Sequence, residues 1–314
     1  MKILVTGGAG YKGSVLVPKL LNLGHHVHVL DTFWFGDFLG EHENLSKQVG
    51  DVCNVDEIDL NDIDTIIHLS SIANDPCGDL NQTLTWEVSA LSTMQLADKA
   101  KRTGNVSQFI YASSGSVYGL KDEDQVTEDL PLTPISAYNK TKMVSERVLL
   151  SYASDFVVQI VRPATVCGLS PRMRLDVSVN MLTMQALTNQ KITVFGGQQM
   201  RPNIHIEDIC NVYLHFLQHP EFTGIYNAGF ENVSIMQIAE LARRYANADI
   251  AVTESNDPRS YRVNSDKLLA TGFKPTKTIE DAVQEIAAAY RAGQLLNEPH
   301  FHNLNWMQTT EVAV

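Results

Sequence analysis

A short apolar run, Lys2-Ile3-Leu4-Val5-Thr6, passes directly into Gly7-Gly8-Ala9-Gly10-Tyr11-Lys12-Gly13 and then into a stretch of helical period. A glycine turn wedged between a buried strand and a helix leaves few folds open. Gly7 permits the turn and Gly10 lets the backbone approach a pyrophosphate. Gly13 lets the helix pack close to the strand, with its first amides aimed at the anion. Glycine clusters serve many turns, so the surroundings decide. The second apolar run ends at Asp31, about where an acid would accept the 2′-hydroxyl of an adenosine ribose. That carboxylate would repel a 2′-phosphate, and Thr32-Phe33-Trp34-Phe35 brings no arginine to offset it. The expected cofactor is NAD rather than NADP.

Apolar runs at residues 3–6, 27–31, 65–70, 109–114 and 157–162 alternate with helical stretches at 14–23, 84–102 and 136–151. Strands apolar at consecutive positions and separated by helices predict a parallel sheet covered on both faces. The fold class is therefore α/β, a Rossmann-type doubly wound parallel sheet with right-handed crossovers. Pro18 should kink or shorten the first helix. Beyond residue 168 the pattern loosens into shorter strands (192–195, 225–228, 250–252) and amphipathic helices (206–217, 235–245, 279–290). The expected division is a dinucleotide-binding domain at 1–168, completed by parts of 200–230, and a smaller C-terminal substrate-binding lobe at 169–314. Residues 297–314 are weakly periodic, either a frayed tail or a cover for a neighbouring subunit.

Lysine plus arginine number 24 against 36 acids, a net charge of −12. Such a surface disfavours a nucleic-acid partner, and a phosphorylated ligand must be held by local cations. Cys53, Cys77, Cys167 and Cys210 are scattered, and His300 and His302 lack a third ligand nearby. Neither a disulfide framework nor a metal site is expected. No apolar stretch approaches ~18 residues and the start lacks a leader pattern. A cytoplasmic protein with no membrane partner is expected.

Tyr138 and Lys142 stand four apart on one predicted helix, where side chains share a face with Cβ atoms about 5–6 Å apart. A phenol with a pKa of about 10 is a poor base at neutral pH. An ammonium ~4 Å away, at an effective dielectric of ~20, is worth about 4 kcal/mol, or roughly three pKa units. An oxidised nicotinamide nearby would add to the shift and bring the phenol toward general acid–base range. The spacing alone equally suits an exposed helix face. Beside it stands Tyr111-Ala112-Ser113-Ser114-Gly115-Ser116-Val117-Tyr118-Gly119 at the carboxyl end of a predicted strand, where open α/β sheets bind ligands. Ser114 could polarise the oxygen whose proton Tyr138 exchanges.

Taken together, TGGAGYKG, Asp31, Gly50-Asp51-Val52, His68-Leu69-Ser70-Ser71, SSGSVYG and YNKTK resemble the extended short-chain dehydrogenase/reductases. The branch resembled is that of NAD-dependent nucleotide-sugar 4-epimerases, dehydratases and 4-dehydrogenases. The resemblance implies that Gly7, Gly10, Tyr11 and Lys12 contact the pyrophosphate, Asp31 the adenosine ribose, and Asp51 and Val52 the adenine. Leu69, Ser70 and Ser71 would line the cofactor and Pro163 would meet the nicotinamide. Ser114, Tyr138 and Lys142 would form the catalytic set, with Lys142 also holding the nicotinamide ribose. The nucleoside-diphosphate sugar would meet Ser114 and Ser116, and Asn180, Arg201 and Arg259 would face its diphosphate. Ser170-Pro171-Arg172-Met173-Arg174-Leu175-Asp176 is similar to a bacterial subgroup that includes GDP-heptose 4-dehydrogenases. A homodimer through a four-helix bundle that includes the Tyr138 helix is also implied.

Departures narrow the chemistry. Where the dehydratases carry an Asp-Glu pair this chain has Gly115 and Ser116, so 4,6-dehydration lacks its acid and base. The decarboxylases' usual Glu also falls on Ser116. Thr165 stands where many 4-epimerases have a substrate-facing Asn, which weakens a simple UDP-galactose epimerase assignment. The expected activity is oxidoreduction at C4 of a nucleoside-diphosphate sugar, as a 4-epimerase or as a 4-dehydrogenase/4-ketoreductase. Two alternatives stay open: a non-catalytic NAD-binding regulatory protein, and a dehydrogenase of the same superfamily acting on a small metabolite.

Overall fold

The structure is a computed structural model describing residues 1–121, 123–254 and 260–310. The first half runs β1 (Lys2–Thr6), α1 (Gly13–Asn22), β2 (His26–Asp31), β3 (Leu45–Val49), β4 (Thr65–His68), α2 (Asp75–Leu80), α3 (Gln82–Trp86), α4 (Ser92–Thr103), β5 (Gln108–Ala112), α5 (Ala137–Leu150) and β6 (Val157–Pro163). The second runs β7 (Thr165–Cys167), α6 (Ser178–Asn189), β8 (Lys191–Phe195), β9 (Met200–His205), α7 (Ile206–Gln218), β10 (Gly224–Ala228) and β11 (Glu231–Ser234). It ends with α8 (Ile235–Ala246), β12 (Asp249–Thr253), α9 (Asp266–Leu269), α10 (Ile279–Arg291) and α11 (Asn303–Thr309).

Seven parallel strands form one sheet in the order β10-β6-β5-β4-β1-β2-β3. Alternate residues of β1 serve opposite faces, as strand geometry requires. Ile3 and Val5 pack with Val17 and Leu20 of α1 and Phe216 of α7, whereas Leu4 packs with Leu96 of α4 and Leu149 of α5. Burial of both faces is why the central strands are apolar without interruption. The α/β, doubly wound sheet expected from the sequence is thus present. Helix α1 runs through Pro18, whose ring lies on the exposed face, so the helix does not end there. A π-helical turn at Glu87–Leu91 joins α3 to α4.

The smaller sheets, β11-β9-β7 and β12-β8, lie with α6, α8 and α10. Val179, Leu182, Ile238, Leu241 and Val283 form a separate apolar core there. Within its described part the 297–314 stretch is not frayed. Phe301 and Met307 are buried, and the Trp306 indole donates to the Trp34 carbonyl at 2.7 Å. It folds back across the loop after β2.

One ion pair ties α5 to the sheet. Arg162 of β6 donates through Nε and Nη2 to the two carboxylate oxygens of Glu146 at 2.9 and 2.7 Å, with both side chains withdrawn from water. The Ser113 hydroxyl donates to the same carboxylate at 2.5 Å, and Arg162 also donates to the Tyr118 hydroxyl at 2.7 Å. Removing one partner of a buried pair leaves an uncompensated charge, at a cost of about 3–5 kcal/mol. Glu146→Ala should lower the unfolding free energy in urea by about that amount. Asp62→Ala, which breaks the exposed Lys2–Asp62 pair, should change it by less than about 1 kcal/mol.

Candidate active site

The strand order reverses beside β1, with β2 and β3 on one side and β4, β5 and β6 on the other. The carboxyl ends of strands at such a switch point form a crevice. There a cleft of about 520 Å³ is lined by Asp31, Tyr138 and Arg201 together, within the usual range for small-molecule sites. Its glycine loop suits a diphosphate. Gly7 has φ +69°, and a Cβ there would lie 2.8 Å from the Ser70 nitrogen; a Cβ on Gly13 would lie 2.3 Å from the Gly8 carbonyl oxygen. No side chain caps α1 and no acid occupies its first turn, so the positive end of the helix faces the glycine loop uncompensated by any carboxylate of its own.

Most residues singled out from the sequence line this cleft: Gly7, Gly10, Tyr11, Lys12, Asp31, Asp51, Val52, Leu69, Ser70, Ser71, Ser114, Ser116, Tyr138, Pro163 and Arg201. Asp31 accepts the amides of Ala9 and Phe33, each at 2.9 Å, which fixes its carboxylate at the end of β2. Burial pushes the Lys12 ammonium down to about 8, while its Nζ reaches the Tyr213 hydroxyl at 3.4 Å.

Two of the expected residues are not among those that line the cleft, and a third lies outside the described residues. Asn180 does not face the cleft. It is fully buried on α6, accepting the Gly168 amide at 3.0 Å and donating to the Tyr11 hydroxyl at 3.0 Å and the Arg174 carbonyl at 2.8 Å. With its amide engaged internally, it braces Tyr11. Lys142 lies beneath the cleft floor, where its Nζ donates to the Ala112 carbonyl at 2.7 Å and sits 4.8 Å from the Tyr111 ring centroid. Arg259 lies outside the described residues.

Ser136 caps α5 by accepting the Asn139 amide at 3.1 Å, so Tyr138 falls in the first turn. The Lys142 Nζ is 5.9 Å from the Tyr138 ring centroid, yet the expected acidification is not present here. Burial raises the Tyr138 pKa above that of an ordinary tyrosine, opposed by the nearby Ser114 hydroxyl. Burial likewise drives Lys142 well below the ordinary lysine value, reinforced by Lys12 and opposed by Glu146. Desolvation outweighs the attraction on which the spacing argument relied. The Ser114 and Ser116 hydroxyls lie 2.7 Å apart, so positions 114 and 116 both present hydroxyls to the floor.

Some cleft residues escaped the sequence reading. Asp75 opens α2, lines the cleft and takes a hydrogen bond from Ser136. Arg174 forms a two-point pair with Asp176 at 2.8 and 2.9 Å, and both line the cleft, as do Arg172, Tyr261, Asn303 and Met307. Two arginines within three residues of an acidic chain were a usable signal for Arg172 and Arg174. Nothing local marked Asn303 or Met307. Burial pushes the Cys77 thiol up to about 11 and Cys167 and Cys210 higher, so these three are poor nucleophiles. Among the described residues no His, Cys, Asp and Glu cluster could hold a metal, and no helix is long and apolar enough to cross a membrane.

Comparison with known proteins agrees with this geometry. The chain is 28% identical over 317 residues to UDP-glucose 4-epimerase of Corynebacterium glutamicum, covering 92% of this chain and 95% of that one. It is 26% identical over 309 residues to UDP-glucuronic acid decarboxylase 1 of Xenopus tropicalis, covering 92% and 72%. The UDP-glucuronic acid 4-epimerase from Bacillus cereus, solved in complex with UDP-glucuronic acid and NAD, superposes with a TM-score of 0.80 at 26% identity over 93% of this chain and 99% of that one. Residues 3–229 match the model of the NAD dependent epimerase/dehydratase family. The chain belongs to that family, enzymes that act on nucleotide sugars with NAD as cofactor.

Proposed function

We propose that this protein carries out oxidoreduction at C4 of a nucleoside-diphosphate sugar, as a 4-epimerase or a 4-dehydrogenase/4-ketoreductase. The observation that carries the reading is the gathering of Ser114 and Tyr138 in one cleft that also holds Asp31 and Arg201. NAD, when bound, supplies the hydride acceptor and a positive charge. The Gly7–Gly13 loop and Asp31 hold its adenosine diphosphate half. Ser114 donates to the C4 oxygen while Tyr138 accepts the C4 hydroxyl proton, and Lys142 stands below as proton reserve. Arg201 takes the sugar diphosphate, a match of guanidinium to phosphate. An epimerase retains the 4-keto sugar and returns hydride to its other face, whereas a dehydrogenase releases it. The C. glutamicum and B. cereus 4-epimerases support chemistry at that carbon. Ser116, a hydroxyl where decarboxylases have a carboxylate, disfavours decarboxylation.

The exposed apolar side chains of Trp86, Leu91 and Met94 lie on the α3–α4 segment packed beside α5 and support a homodimer through these helices. Sedimentation at micromolar concentration should return twice the monomer mass; a monomer would refute it.

Incubating the purified protein with a panel of nucleotide sugars, and following NADH and sugar stereochemistry, tests the reaction. Inverted C4 with no free NADH marks the epimerase; NADH with a 4-keto product marks the dehydrogenase. Loss of water from the sugar would overturn both and give Asp75 the acid's role. Tyr138→Phe should lower turnover about 10²–10⁴-fold with NAD affinity retained, whereas unchanged turnover would leave the regulatory reading. Arg201→Ala should raise KM about ten- to hundredfold; an unaltered KM would favour a small-metabolite substrate.

The electrostatics add a separate expectation. Without NAD, ultraviolet titration of the wild type minus Tyr138→Phe should show the phenol ionising above pH 10, the ordinary tyrosine value. Ser114→Ala should push it higher, and added NAD should bring it down. Ionisation below pH 10 without NAD would refute dominance of burial.

A further inference from the structure

Arg172 lies on the loop between β7 and α6 and is only 2% exposed. Its guanidinium stacks 4.0 Å from the centroid of the Phe35 ring. One terminal nitrogen donates to the Met173 carbonyl at 3.1 Å and the other to Asn303 Oδ1 at 2.7 Å. The buried Nε has no hydrogen-bond partner. Neither nearby acid pairs with it: Asp176 is held by Arg174, and Asp31 accepts the amides of Ala9 and Phe33. A buried guanidinium with an idle donor and no contacting carboxylate carries an uncompensated desolvation cost. Arg172 lines the cleft, so an anion bound there would supply the missing partner.

Its position says which anion. The Arg172 amide donates to Ser14 Oγ at 3.3 Å, and Ser14 meets Ser170 at 2.8 Å. The main chain is thus fastened to the first turn of α1, directly after the glycine loop. The side chain reaches from there to Phe35, four residues beyond Asp31. It therefore spans the interval between the phosphate end and the ribose end of an adenosine diphosphate. We propose that Arg172 binds a phosphate oxygen of the adenosine half of the dinucleotide, and that Asn303 is the positioning residue that holds the guanidinium there. The 5′-diphosphate is favoured over a 2′-phosphate by the anchor on α1 and by the carboxylate of Asp31. The C-terminal segment is thereby part of the cofactor site: the Asn303 amide meets Asp176 at 3.2 Å, and Trp306 is bonded to the Trp34 carbonyl.

This inference rests on the family cofactor alone, and its test reads binding rather than turnover, so it stands or falls separately from the C4 chemistry. Calorimetry on the full-length protein compares NAD, ADP, adenosine and NADP. Arg172→Met, which keeps bulk over Phe35, should weaken NAD and ADP about ten- to hundredfold and leave adenosine within about twofold. Asn303→Ala should weaken ADP several-fold with adenosine again unchanged, a split that a merely structural role would not produce. Unchanged NAD and ADP affinity in Arg172→Met overturns the proposal. So does an equal loss of adenosine, or a loss confined to NADP. Should Arg172→Met fail to fold by circular dichroism, the Asn303→Ala measurement decides, with unaltered ADP affinity overturning it.

Discussion

Arg162 and Glu146 are each removed from water, a state that costs several kcal/mol per ion unless the partner and its hydrogen bonds repay it. Here both carboxylate oxygens are matched by guanidinium nitrogens, and Ser113 and Tyr118 take further positions on the pair. The position of this pair matters more than its net energy. Glu146 is one helical turn from Lys142, and Ser113 adjoins Ser114. A pair of fixed geometry therefore sets α5 against the ends of β5 and β6, and with it the spacing of hydroxyl, phenol and ammonium. A hydrophobic replacement could hold the helix; it could not hold Ser113 or sustain the Lys142 charge.

That last point bears on the acid–base chemistry. Burial pushes the Tyr138 phenol and the Lys142 ammonium toward their neutral forms. Glu146 opposes the loss of charge on Lys142, and Ser114 opposes the rise at Tyr138. Neither is enough to bring the phenol to neutral pH in the structure as it stands. A cation entering the cleft above Tyr138 acts in a desolvated setting, where each charge has a larger effect than in water. The same burial that makes the resting phenol a weak base thus makes it responsive to an oxidised cofactor.

What could be read from the sequence was what short spacing encodes. The strand–glycine–helix turn, Asp31 at the end of β2 and the Tyr138–Lys142 interval are local, and the fold class followed from continuous apolar strands. The edge strand β3, Leu45–Val49, went unread because its polar Ser46, Lys47 and Gln48 lack the two-faced apolarity of the central strands. The partners of Asn180 could not be read because its motif is local while its orientation is set by Gly168, Arg174 and Tyr11, which only folding brings together. Lys142 was assigned a direct hold on the ligand because four-residue spacing fixes a shared helix face, not the depth of a side chain. Arg172 and Asn303 are 131 residues apart, a separation across which no periodicity carries information.

Net charge is likewise offset at the scale of single contacts. A chain carrying −12 repels phosphates as a whole, yet Lys12, Arg172, Arg174 and Arg201 all border one cleft. Two of its acids are already engaged there: Asp176 by Arg174, Asp31 by two amides. Short-range, partly desolvated contacts outweigh a distant field that salt screens within about 10 Å. These cations come from the loop before α1, the loop after β7 and the start of β9, elements that belong to both the large sheet and the smaller sheets. The gathering of these cations is therefore bound to the packing of the two parts of the chain against each other, and a change that separates them would disperse the cations before it disturbed any single one.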